Sequence, residues 1–294
     1  MIRRLPAQRR PLLTLLTLAC CLLSGCGRVP KSSLAVIVID VSPSGRPDAR
    51  KAKRNRTRDA ASASRAAAEI VRQRCREARS AIAELEDNAA GVFKFQLMQV
   101  GSGTSTKPKT IFNWREVDGS TPSALATPQQ IGLERDRALQ QLEQDCVARA
   151  EPTATSPIHI ASKEAVVALQ TRAAELSADG RREIVALHLF IFTDFVDPEV
   201  LGRYQKARKD RALADRVKRA TKRAKYEARA LATETSMRIA LPATVNTVLC
   251  GLADSEASVP AETSRAAWQL VFPGRAIAPS CCQTDMHTRI AVGH

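Results

Sequence analysis

Asp40-Val41-Ser42-Pro43-Ser44 places one carboxylate and two hydroxyls at alternate positions. In an extended segment alternate side chains point the same way, so three oxygens can be aimed at one point. Oxygen donors alone suit a hard divalent cation such as Mg2+, which usually retains some of its waters. Asp and Ser after a strand are also ordinary turn and helix-cap residues that satisfy backbone donors without any ion, so a metal-free reading stands beside the first. No nucleophile–base pair is evident near the motif. His159 is a lone histidine, a type found more often as a cap or surface residue than as a catalyst. These residues point to binding and not to catalysis.

The motif is positioned by what precedes it. Leu34 to Ile39 is an unbroken, largely β-branched apolar run ending in Asp40, as expected of a central strand covered on both faces. Ile184 to Phe192 is a second such run, and Asp194 stands at its end. Between them the spacing predicts a helix over 61–86, a strand over 92–100 with an antiparallel partner over 110–117, and helices over 128–149 and 159–178. Beyond them it predicts one long helix over 198–235, a strand over 245–252 and a helix over 261–272. The tail after Pro273 is left unassigned. Strands alternating with helices imply a three-layer α/β domain with a mostly parallel central sheet, spanning residues 34–275. In such sheets ligands sit beyond the carboxyl ends of the strands, where Asp40 and Asp194 fall.

With these elements in place, the pattern resembles a von Willebrand factor A domain and its metal-ion-dependent adhesion site. In that family the first strand ends in Asp-x-Ser-x-Ser, matched by Asp40, Ser42 and Ser44. A Thr in a later loop before a helix is matched in Thr153-Ala154-Thr155-Ser156-Pro157-Ile158, with Thr155 the implied ligand. An Asp after the fourth strand is matched by Asp194 in Phe192-Thr193-Asp194. The resemblance implies a bound divalent cation with a coordination position left for an acidic side chain of a protein partner. Two departures stand out: Phe195 occupies the place where the family usually has Gly, and residues 101–153 are longer and more polar than the pattern.

The first residues form a basic leader (Arg3, Arg4, Arg9, Arg10), a short uncharged apolar run from Pro11 to Leu23, and a small-residue end, Leu23-Ser24-Gly25-Cys26. This is the form of a secretory signal, too short to span a bilayer comfortably. Its end resembles the lipobox of bacterial lipoproteins, which implies cleavage before Cys26, acylation of that cysteine, and a tether over 26–33. Gly27 after Cys26 lacks the Asp associated with inner-membrane retention, which points to an outer membrane, with the domain facing the periplasm. Of eight cysteines, Cys75, Cys146, Cys250, Cys281 and Cys282 remain after the leader and Cys26 are set aside. One or two disulfides are possible in an oxidising compartment, with the pairing open. No CxxC spacing marks a zinc or redox site.

Net charge is +15 and falls to +11 without the four leader arginines, which favours acidic partners. Aromatics make up only 4% of the chain, too few for base-stacking surfaces of the usual kind. From Arg203 to Arg229 there are twelve Lys or Arg against three acids, with Leu213, Val217, Ala220, Ala224 and Leu231 forming one apolar stripe that can pack on the sheet. Read blandly, this is a solvated helix. Read sharply, Lys218, Arg219, Lys222 and Arg223 contact anionic lipid, an acidic protein or nucleic acid. The expectation is a lipid-anchored envelope protein that engages a partner through Mg2+ or a similar ion. The alternatives are a metal-free structural component of the envelope and an anchored nucleic-acid-handling factor of a secretion or conjugation system.

Overall fold

A computed structural model describes residues 29–42, 59–89, 91–101, 107–117, 127–153, 156–180, 182–251 and 259–278, with only the backbone of 59–63. Among them are β1 (Lys31–Ile39), α1 (Asp59–Asp87), β2 (Val92–Gln99), β3 (Lys109–Arg115), α2 (Pro128–Arg149) and α3 (Ile158–Ala178). There follow β4 (Glu183–Phe192), α4 (Pro198–Arg216), α5 (Ala220–Met237), β5 (Val245–Cys250), α6 (Ala261–Val271) and β6 (Ile277–Ala278). The strands form one sheet in the order β3-β2-β1-β4-β5-β6. Every neighbouring pair is parallel except β2 and β3. The architecture is therefore α/β, a mostly parallel sheet between two helical layers.

The apolar run of β1 is explained by its position. It pairs with β2 on one side and β4 on the other, and its residues from Ser32 onward are buried. Ala35, Ile37 and Ile39 point into one core, completed by Val71, Ala78 and Ile82 of α1 and Leu139 and Leu142 of α2. Leu34, Val36 and Val38 point into the other, completed by Ile158, Ala165 and Leu169 of α3 and Ala267, Trp268 and Val271 of α6. A strand buried on both faces has no polar alternation to show, and each such side chain contributes about 1.5–3 kcal/mol. On the first face the disulfide Cys75–Cys146 joins α1 to α2 across 71 residues of chain. Cys250 is also disulfide-bonded.

The topology fixes where a site can form. From β1 the chain builds β2 and β3 on one side, then returns to build β4, β5 and β6 on the other. The connection after β1 leads to α1 on one face, whereas α4 starts from β4 on the opposite face, where Val200 and Leu201 join the second core. A crevice opens at such a reversal point, beyond the carboxyl ends of the two strands. Asp40 and Asp194 follow those two ends.

Two expectations are corrected here. The single helix over 198–235 is instead a helical hairpin, α4 and α5, joined through residues 217–219. A continuous helix of that length would extend about 57 Å and leave its small-residue face in water. Folding back buries Ala207 and Ala214 of α4 and Ala230 and Met237 of α5. Arg211 closes the hairpin by donating two hydrogen bonds of 2.7 Å to Glu234. The proposed apolar stripe does not pack on the sheet: Ala220 and Ala224 are exposed and Leu231 is 55% exposed. Second, the sheet extends through β6, past the expected domain end at 275. Two residues paired to β5 at Leu249 and Cys250 are too short a strand to leave a periodic signal. Among the described residues no helix is long and apolar enough to cross a membrane.

Candidate functional site

The rim is built outward from Asp40. Its N–H still follows the sheet, donating to Phe192 O at 2.9 Å, so the β1–β4 pairing holds the residue in place. The carboxylate is almost fully buried. Oδ1 accepts the Ser42 N–H at 2.9 Å, an Asx-type turn that folds the chain after the strand. Oδ2 accepts the Thr193 hydroxyl at 2.9 Å from the end of β4. Ser156, from the loop before α3, reaches Oδ1 at 3.5 Å, and its hydroxyl is hydrogen-bonded to that of Ser42. Arg74 Nε donates to the Asp40 carbonyl at 3.2 Å, while its Nη1 is paired with Glu77 at 2.7 Å. The guanidinium thus touches the Asp40 backbone and spends its ion pair elsewhere.

Electrostatics at the rim is dominated by two carboxylates. Burial first, and the neighbouring Asp194 charge second, push the Asp40 pKa up to about 6, against the lowering effect of the Ser42 and Thr193 hydrogen bonds and Arg74. Asp194 is half-buried, and its Oδ1 accepts the Val196 N–H at 3.0 Å. Three separate segments, after β1, before α3 and after β4, therefore bring Asp40, Ser42, Ser156, Thr193 and Asp194 to one rim.

Phe195 accounts for one departure noted in the sequence. Its φ of +57° is the left-handed region that glycine adopts freely and a bulky side chain does not. The conformation is held from three directions. The Phe195 N–H donates to Thr193 Oγ1 at 3.2 Å. Its carbonyl accepts from Ser264 Oγ and Trp268 Nε1, each at 2.9 Å. Its ring is wholly buried edge-on to Trp268 with centroids 5.2 Å apart. The backbone therefore takes the glycine-like turn, and the aromatic contact offsets its strain. Gly251 supports the same loop from β5. With φ +102°, a Cβ there would stand 2.5 Å from the Thr193 carbonyl.

A second polar cluster lies beside the rim. Asp197 caps α4, accepting from Glu199 N at 2.9 Å and Val200 N at 3.2 Å, and its other oxygen accepts the His159 N–H of α3 at 2.9 Å. Burial raises its pKa. His159 is buried with Nε2 3.0 Å from the Met237 carbonyl; since a carbonyl only accepts, Nε2 carries the proton. Desolvation lowers its pKa, with Lys163 acting in the same direction. His159 thus pins the end of α5 to the start of α3.

Of the residues expected at the site, Asp40 and Ser42 are brought together and Asp194 lies close enough to raise the Asp40 pKa. Ser44, Thr155 and Cys26 lie outside the described residues. Ser156 and Thr193 were not anticipated, although both are hydroxyls beside a named candidate. Asp197 was missed too; the Asp-Pro pair at 197–198, a capping residue before an N1 proline, was the available signal. Lys218, Arg219, Lys222 and Arg223 are all exposed near the turn of the hairpin.

The donor set fits a hard cation. Every side-chain donor is an oxygen, two of them carboxylates in mutual repulsion. Thr153, in the loop that carries Ser156, is buried with a hydroxyl that has no partner among the described residues. No three His, Cys, Asp or Glu side chains are placed to hold one metal ion among the described residues, so the chemistry rests on two carboxylates supplemented by hydroxyls. Compared with known proteins, the chain matches no protein-family model and no curated relative.

Proposed function

We propose that this chain is an exported, lipid-anchored protein whose sheet rim binds a divalent cation such as Mg2+ and, through it, an acidic group of a partner protein. The carrying observation is the gathering of Asp40, Ser42, Ser156 and Asp194 from three segments at the reversal point of the sheet. The ion would supply the positive charge that two closely placed carboxylates lack, and it would hold one position open for the partner. Asp40 and Ser42 would bind it directly, with Ser44 and a hydroxyl of the 153–156 loop completing the set. Thr155 and Ser156 both serve that loop role in this reading. Asp194 would act from the outer side. In this reading the rim resembles the adhesion site of von Willebrand A domains, and the glycine-like backbone turn at Phe195 supports the likeness.

Export is supported independently by the Cys75–Cys146 disulfide, a bond that persists in oxidising compartments. Acylation of Cys26 would then hold the domain at a membrane surface. The test is capture from detergent-solubilised envelope with the lipid-modified protein as bait. The expected result is a partner retained in Mg2+, released by a chelator and absent with Asp40→Asn. Retention indifferent to the chelator and to Asp40→Asn would reject cation-mediated binding.

A further inference from the structure

The α4–α5 hairpin carries its charge at the end farthest from the cation rim. Its root is fixed there: Asp197 caps α4, and His159 holds the Met237 carbonyl at the end of α5. Nineteen residues of α4 carry the chain about 28 Å away before it turns. Around the turn, Arg216, Lys218, Arg219, Lys222, Arg223 and Lys225 fall within ten residues that contain no acid, and all six are exposed. Arg223 is paired with Glu227 at 2.8 Å, on side chains more than half exposed, a contact that water and salt weaken. The bonds that hold the hairpin together lie elsewhere, in Arg211–Glu234 and in the buried alanines. The tip cations are therefore not needed to stabilise the hairpin.

We infer that this hairpin tip is a docking surface for the anionic headgroups of a membrane. An exposed end bearing long, flexible cations suits a laterally mobile sheet of negative charge, where each Lys or Arg adds independently to binding. A disulfide-bonded domain works in an oxidising compartment, where lipid surfaces are present and nucleic acid is not the ordinary partner. The surface is separate from the cation rim and does not depend on it.

The test uses the chain from residue 27 onward, without its lipid; the six described strands and both described cores lie within it. Binding to phosphatidylcholine vesicles with and without phosphatidylglycerol is measured by co-sedimentation in the presence of a chelator. The expected result is retention on the anionic vesicles only, lost as ionic strength rises and the screening length falls to about 10 Å. Lys218→Gln, Arg219→Gln, Lys222→Gln and Arg223→Gln together should weaken binding by about a thousandfold at low salt. A control removing the same charge elsewhere, Arg65→Gln, Arg137→Gln, Lys163→Gln and Arg265→Gln, should weaken it far less. Equal loss in the two variants, or none in the first, overturns the assignment, as does tighter binding to duplex DNA than to anionic vesicles at the same salt. Vesicle binding with no Mg2+ heat would uphold this surface while rejecting the cation site.

Discussion

Asp40 ends a buried strand, faces a second carboxylate and is compensated only by hydrogen bonds and the neighbouring Arg74. Its folded pKa of about 6 lies above the ordinary 3.8, so the cation-free folded state holds more protons than the unfolded chain across that window. Its contribution to stability should therefore fall as pH rises from about 4 to about 6. Saturating Mg2+ should reverse the slope, because the bound ion requires the ionised carboxylate; melting curves at several pH values, with and without Mg2+, read this directly. In the absence of the ion, Asp40→Asn should melt no lower than the wild type at neutral pH and should not respond to Mg2+. Asp40 and Ser42 were legible because their alternation follows an unbroken apolar run. The part played by Ser156 was not: Thr155 and Ser156 are adjacent hydroxyls, and sequence spacing alone does not single out Ser156 as a partner of Asp40. Thr193 was hidden because a Thr at a strand end reads as strand propensity.

At the scale of elements, two supports hold the rim in shape. Trp268 anchors the Phe195 carbonyl and ring, so Trp268→Phe should destabilise the fold by about 1–3 kcal/mol through a weakened carbonyl partnership and lost packing. Denaturant unfolding measures this, and an unchanged midpoint would show that the turn is held without the indole. The Cys75–Cys146 link closes a long loop between α1 and α2, and replacing both cysteines with Ala should cost about 2–5 kcal/mol. The two central strands and the β2–β3 antiparallel pair were readable from apolar runs and alternation. The α4–α5 turn was not, because residues 217–219 are Val-Lys-Arg, with no Gly, Pro or Asn to mark a reversal. What folds the hairpin is tertiary: small buried faces on both helices and a bidentate Arg211–Glu234 pair at a separation of 23 residues.

Across the whole molecule, the chemistry is divided between two distant places. The oxygen-lined rim sits at the carboxyl ends of β1 and β4, and the cationic tip lies a full helix length from the hairpin's root beside it. Such separation predicts independence: the fourfold Gln variant of the tip should bind Mg2+ as the wild type does, and Asp40→Asn should bind anionic vesicles normally. Topology carries the rest of the argument, since the reversal of strand order at β1 and β4 is what allows three distant segments to converge. The most direct test is calorimetric titration of Mg2+ into the purified wild-type chain and into Asp40→Asn. Saturable binding to one site is expected in the first and none in the second; no binding heat in the wild type, or equal heat in both, would rule out a cation held by Asp40.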